Sequence, residues 1–226
     1  MNLTRELKFE GILHDPVDKA VCIINKVSHS LRAYEIAKGL VQGIPSNVLM
    51  EIHDHHQRKV RISSADWNAS AANRGLIPHG TSVYEISLQN PFSGTLITIK
   101  RLRDVPALPS ANQFKHIGVF PEEYNKVFWN LMYEYYRVYS RSNLAVAQSI
   151  FLLPEDTRIP SSPIISHLAM TSALSGCPKN FYLVYVEVGG VQDFISSARK
   201  TADLWAGSYL YSLLLANVIR YFVNKF

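Results

Sequence analysis

Residues 181–226 read FYLVYVEVGGVQDFISSARKTADLWAGSYLYSLLLANVIRYFVNKF, and the apolar period changes partway through. Phe181 to Val188 is rich in Tyr, Val and Phe and has Pro178 upstream, a pattern that predicts a buried strand. Gly189 and Gly190 break it. From Val191 the apolar positions Val191, Phe194, Ile195 and Ala198 fall on one helical face. Strand, glycine pair and helix form half of a βαβ-type unit, whose first helical N–H groups can hold an anion. Many α/β folds use such a turn for packing alone, so both uses stay open from the pattern.

Upstream, the chain begins with an apolar segment ending in Gly11-Ile12-Leu13, followed by His14-Asp15-Pro16. Pro16 suits a first helical position and Asp15 a cap. Ala20, Ile23, Ile24 and Val27 recur at helical spacing, as do Leu31, Tyr34 and Leu40, until Gly43 and Pro45 end the run. Val48 and Ile52 open another helix that reaches the His53–His56 cluster. Residues 60–74, rich in Ala and Ser, suit a closely packed helix. The first 75 residues thus read as a helical unit. Alternation over Ser82–Leu88 and Thr95–Ile99, with turn residues between, predicts two strands. Phe120–Ser142 is helical again, and its stripe Tyr124, Phe128, Trp129, Tyr133, Tyr136 reads as core or subunit interface. A Pro-interrupted connector follows from Leu153.

Composition sets bounds. At 226 residues and 47% apolar content the chain can bury a sizeable core. A net charge of +5 favours polyanionic partners without requiring them. Cys22 and Cys177 are too few for a disulfide framework or a cysteine zinc site, in keeping with a reducing, cytoplasmic setting. The charged start MNLTRELKFEG is no signal peptide, and Leu204–Ile219 is too short for a membrane span.

The candidate chemistry lies mostly in the first part. Imidazole suits transition metals and carboxylate suits most cations, so adjacent His14 and Asp15 can ligate a divalent metal, which acidifies water near neutral pH. The same pair also serves as a helix-start cap. His29, His53, Asp54, His55, His56 and Asp66 are further donors. His53 and His56, three apart, share a helical face. EIHDHHQRK equally fits a solvated face.

Three blocks carry a family resemblance. VEVGGVQDFISSARKTADLWAGSYL (186–210) resembles the first strand and helix of the palm domain in the large subunit of type III-B (Cmr-type) CRISPR effector complexes. There an apolar strand runs into a G-x-VQ-x-FI turn and an ARK-T-x-DLW-x-GS-x-L segment; Ala202 departs from the family's Arg. LPEDTRIPSSPIISHLAMTSAL (153–174) is similar to the lead-in to that palm, and ILHDPVDKA (12–20) to the start of the subunit's HD domain.

The resemblance implies an α+β chain: a permuted, mainly helical HD-type domain with a small β insertion over 1–150, a linker over 151–178, and an incomplete ferredoxin-like palm over 179–226. It implies catalytic and metal roles for His14, Asp15 and Asp66, with His53 or His56 as further ligands. The metal would be Mn, Ni, Co or Mg. Asp66 sits in SADWNASAANR, where Trp67, Asn68 and Asn73 replace the family's Arg, an aliphatic residue and a second Asp. Gly189, Gly190, Val191 and Gln192 would line a nucleotide pocket, with Arg199 or Lys200 near phosphates or simply at an exposed helix end. ATP is expected only if further sequence completes the palm, since the Gly-Gly-Asp-Asp turn of cyclic oligoadenylate synthesis does not occur here. Implied partners are the other Cmr-type subunits, guide and target RNA through the complex, and single-stranded DNA. Two roles follow, a metal-dependent single-strand DNase or a scaffold with a lost site. An HD phosphohydrolase acting on small nucleotides uses the same ligands but lacks the palm-like blocks.

Overall fold

In the computed structural model the described residues are 3–54, 61–73, 85–89, 96–100, 107–142, 144–150, 153–155, 162–177 and 184–225. They form a mostly helical α+β chain, dividing into the units Met1–Phe181 and Tyr182–Phe226.

In the first unit, α1 (Leu3–Leu13) buries Phe9, Ile12 and Leu13. It meets α3 (His29–Leu40), which contributes Ala33, Ile36, Ala37 and Leu40, and α6 (Tyr124–Ser140), which contributes Val127, Leu131, Tyr135, Val138 and Tyr139. These positions recur every three or four residues, one stripe per helix. Each large side chain removed from water contributes about 1.5–3 kcal/mol. The outer face of α6 is different: Trp129 is 73% exposed and Tyr133 65%, so only part of the aromatic run enters the core.

Two short sheets complete the unit. β1 (Val41–Gln42) pairs in parallel with β4 (Gly118–Val119), and β2 (Glu85–Gln89) with β3 (Leu96–Lys100) as an antiparallel pair, Ile86 opposite Ile99. The expected pair of strands is therefore present.

The region around His14 departs from expectation. Pro16 does not open a helix: the chain turns once, with Lys19 N–H donating to Pro16 O at 3.0 Å, and α2 (Lys19–Ile24) starts later. The cap position falls to Asp18, which leaves Asp15 outside the helix. Asn25 and the left-handed Lys26 (φ 55°) end α2, and Ser28 Oγ caps α3 by accepting from Leu31 N–H at 3.3 Å. Asp18 itself is fully buried. It accepts from Arg32 Nη2 at 2.9 Å and Tyr139 Oη at 2.7 Å, while Arg32 Nη1 donates to Pro109 O at 2.6 Å. The His14–Asp15 turn is thereby pinned to α3 and α6.

The segment expected as a linker contains α8 (Ile164–Ser175), whose Ile164 and Leu168 are part of the core. α8 lies against α1 and against α5 (Ser63–Asn73). Gly11 makes this approach possible, because a Cβ there would come within 2.6 Å of Ser172 Cα. Ser172 Oγ donates to Lys8 O at 2.8 Å and meets Tyr124 Oη at 2.6 Å. Before α8, Pro154 and Pro163 form an antiparallel bridge, with Glu155 N–H donating to Ser162 O at 3.1 Å. α4 (Ser46–Asp54) and α7 (Leu144–Ser149) complete the unit.

The second unit has α9 (Val191–Ser196) and α10 (Thr201–Lys225). Phe194 of α9 packs on Gly207, where a Cβ would stand 3.2 Å from the ring, and edge-on to Tyr211 with centroids 5.2 Å apart. The strand expected over Phe181–Val188 is a correction: residues 184–188 pair with no strand among the described residues, and Tyr185 is 81% exposed. A strand exists through its ladder of hydrogen bonds, and among the described residues no neighbouring edge is offered to these residues. Residues 181–183 lie outside the described residues. Among those described, no helix is long and apolar enough to cross a membrane.

Candidate metal centre

His14 ends up just past the last turn of α1, where its Nδ1 lies 2.8 Å from Gly11 O. A carbonyl only accepts, so Nδ1 carries the proton and Nε2 points inward. On α8, His167 has the matching arrangement: Nδ1 faces Glu155 Oε2 at 3.1 Å, and Nε2 points at His14 Nε2, 3.3 Å away. Asp66, one turn into α5, closes the group. Its Oδ1 lies 3.5 Å from His14 Nε2 and 3.1 Å from His167 Nε2. Asp15 Oδ2 stands beside them at 3.5 Å from His14 Nε2 and 3.9 Å from His167 Nε2.

These spacings suit a small cation. Donors 2.0–2.1 Å from one tetrahedral ion sit about 3.4 Å apart, within the range observed. Two imidazoles and one or two carboxylates suit Mn, Co, Ni or Zn by softness. Each imidazole is oriented through its outer nitrogen, as metal-ligating histidines are. Among the described residues, His14, Asp66 and His167 are the group of potential ligands whose donor atoms all lie within 4.8 Å of one another.

Electrostatics agree with the geometry. Burial pushes the His167 pKa down, but hydrogen bonds to Asp66 and Glu155 and the charges of Asp15 and Asp66 outweigh it, raising the value to about 9. Burial pushes Asp66 up, yet its hydrogen bonds with His14 and His167 hold it far below the usual carboxylate range. Asp66 is thus held as a carboxylate facing both imidazoles.

The structure brings together three of the sequence-derived candidates, His14, Asp15 and Asp66. His53 stays apart: its Nδ1 pairs with Asp54 Oδ1 at 2.7 Å and its ring meets Tyr34 edge-on at 5.7 Å. His56 lies outside the described residues. His29 approaches from the other side, Nε2 3.8 Å from Asp15 Oδ1. His167 and Glu155 were missed. Both lie in the LPEDTRIPSSPIISHLAMTSAL block, where one histidine in an otherwise apolar and small-residue helix was the available signal. Gly189 and Gly190 are exposed, and a Cβ at either meets nothing within 4 Å. Gly190 is required by its φ of 73° rather than by close approach.

Comparison with known proteins adds family evidence. Residues 183–226 match the family model described as CRISPR-associated protein Cmr2, N-terminal. The chain is 29% identical over 251 aligned residues to the CRISPR system CMR subunit Cmr2 of Saccharolobus solfataricus, covering 97% of this chain and 22% of that protein. It is 42% identical over 80 residues to the CRISPR system Cmr subunit Cmr2 of Pyrococcus furiosus, covering 35% of this chain and 9% of that protein. The chain therefore spans about a fifth, or less, of the length of these curated relatives. No solved structure matches it significantly. The resemblance drawn from the sequence blocks holds: the likeness is to the N-terminal part of the Cmr2 large subunit.

Proposed function

We propose that this chain, akin to the N-terminal part of the Cmr2 large subunit, works within a type III-B CRISPR RNA-guided effector complex and carries an HD-type, divalent-metal-dependent centre that cuts single-stranded DNA. The observation that supports the centre is the convergence of His14 and His167 Nε2 with Asp66 Oδ1 at 3.1–3.5 Å, from three separate elements. His14, His167 and Asp66 would hold the ion, and Asp15 would serve as a fourth ligand or as the base that receives a proton from water. The ion supplies an acidified water and Lewis acidity toward phosphate. Gly11 O and Glu155 keep both imidazoles turned inward. Among the described residues, the centre is closed on most sides, and its partly exposed members are Asp66, Lys19 and His29, with side chains 14%, 14% and 24% exposed. Substrate would enter there.

The test is cleavage of single-stranded DNA stimulated by Mn²⁺, Ni²⁺ or Co²⁺ and abolished by His14→Ala together with Asp15→Ala. A double variant that cleaves as well as the parent would overturn the assignment.

A scaffold role is the second reading, favoured by the departures at Trp67 and Asn73 and by the near-complete burial of His14 and His167, 0% and 1% exposed. Calorimetric metal titration separates the two: a chain with no site tighter than about millimolar is a scaffold. In either role the partners would be other Cmr-type subunits and, through them, guide and target RNA in the cytoplasm. The turn at Gly189, Gly190, Val191 and Gln192 would contribute to an ATP pocket only in a completed palm.

A further inference from the structure

Lys19 stands four residues beyond Asp15, and its Nζ donates to Asp15 Oδ2 at 2.5 Å. That oxygen is also the one that faces both imidazole Nε2 atoms, at 3.5 and 3.9 Å. A divalent ion held by His14, Asp66 and His167 would therefore draw on an oxygen already committed to an ammonium. Two cations within a few ångströms, in surroundings poorer in water than bulk, repel by more than one hydrogen bond returns. The lysine has somewhere to go. Its side chain is 14% exposed and sits on a flexible four-carbon stem.

Building on the divalent centre proposed above, we infer that Lys19 is its built-in counter-ion: the ammonium neutralises Asp15 until a divalent cation takes Oδ2, and then turns outward. Lys19 thus competes with the metal, which sets the affinity below what the bare ligands would give. It also keeps the buried Asp15 carboxylate from destabilising the protein before metal arrives.

Mn²⁺ titrated into the chelator-stripped full chain, followed by calorimetry and thermal melting, tests this. Lys19→Met and Lys19→Gln are expected to bind Mn²⁺ about tenfold tighter than the parent, since one unit of opposing charge is gone. Lys19→Arg keeps the charge and is expected to bind like the parent. Without metal both neutral variants melt below the parent, and saturating Mn²⁺ closes the gap. The Gln variant covers the case in which Met does not fold. Equal or weaker Mn²⁺ affinity in the neutral variants, beside a parent that binds, overturns the counter-ion role and leaves the centre standing. A deficit in melting temperature that Mn²⁺ does not close marks an ordinary structural lysine and overturns it too. A parent that binds no Mn²⁺ removes the centre itself.

Discussion

Gly11→Ala is the most revealing single change, because it acts on the fold and the centre through one contact. In a helix, Gly→Ala ordinarily stabilises by about 0.5–1 kcal/mol. At Gly11 the new Cβ would sit 2.6 Å from Ser172 Cα and 2.9 Å from Ser172 N, whereas ordinary contact begins at 3.4 Å. Backbone atoms cannot step aside as a side chain can, so α1 and α8 must part by about 0.8 Å, the difference between 3.4 and 2.6 Å. Overpacking of this kind costs roughly 1–3 kcal/mol, which exceeds the propensity gain. For a chain of this size that is a fall in Tm of about 2–12 °C. The same movement separates His14 from His167. If it reaches the ring nitrogens undiminished, their 3.3 Å separation becomes about 4.1 Å. A tetrahedral ion would then need bonds of about 2.5 Å instead of 2.0–2.1 Å, and affinity should fall at least tenfold. Gly39→Ala is the control: it lies in α3, nothing stands within 4 Å of its added Cβ, and it should raise Tm. Melting in chelator and calorimetry with Mn²⁺ read both effects. A Gly11→Ala protein as stable as the parent refutes the packing, and one that is less stable but binds Mn²⁺ equally refutes the coupling to the centre.

Glu155→Gln removes the charge that orients His167 and should weaken Mn²⁺ binding 10–100-fold by calorimetry; unchanged affinity means the ring is held by something else. Asp18→Ala leaves the Arg32 guanidinium buried without its counter-charge and should cost about 3–5 kcal/mol in urea melts, with a loss under 1 kcal/mol counting against the network. The His167 pKa, raised from 6.5 to about 9 in the folded chain, stabilises fully below pH 6.5, and that contribution is lost as pH rises to about 9. In chelator, then, the stability of the parent relative to His167→Gln should shrink by up to about 3 kcal/mol between pH 6.5 and 9; a difference that grows over this window has the wrong sign. Metal binding displaces that proton, so Mn²⁺ affinity should rise across the same range.

How far the sequence reached depended on the range of the interaction. Helical periodicity located α3 and α6, an Ala- and Ser-rich composition located α5, and alternation located β2 and β3, because those patterns are set by a residue's near neighbours. Pairing of His14 with Asp66 was legible only through the family resemblance; spacing along the chain says nothing about which helix ends meet. His167 was missed for the same reason. It lies 153 residues from His14, and its partner Glu155 lies within the proline-interrupted stretch that reads as connector. The strand at Phe181–Val188 failed in the opposite way. Its local pattern is strong, but a strand is completed by a neighbour, and apolar β-branched residues cannot supply one.

The order of ligands along the chain has a structural consequence. His14 and Asp15 come from the exit turn of the first helix, Asp66 from the middle, His167 from α8 near the end of the first unit, and Glu155 from the bridge just before α8. A boundary near residue 150, natural by composition, would cut through the centre and leave the His14 and Asp66 side chains without their third partner. The Gly11–Ser172 contact therefore does more than fill space. It is the point at which the end of the helical unit returns to its beginning, and the donors can converge only once that closure is made. Stability and metal affinity should accordingly change together for substitutions along the α1–α8 contact, and independently for those on the outer face of α6, where Trp129 and Tyr133 touch neither helix's buried side.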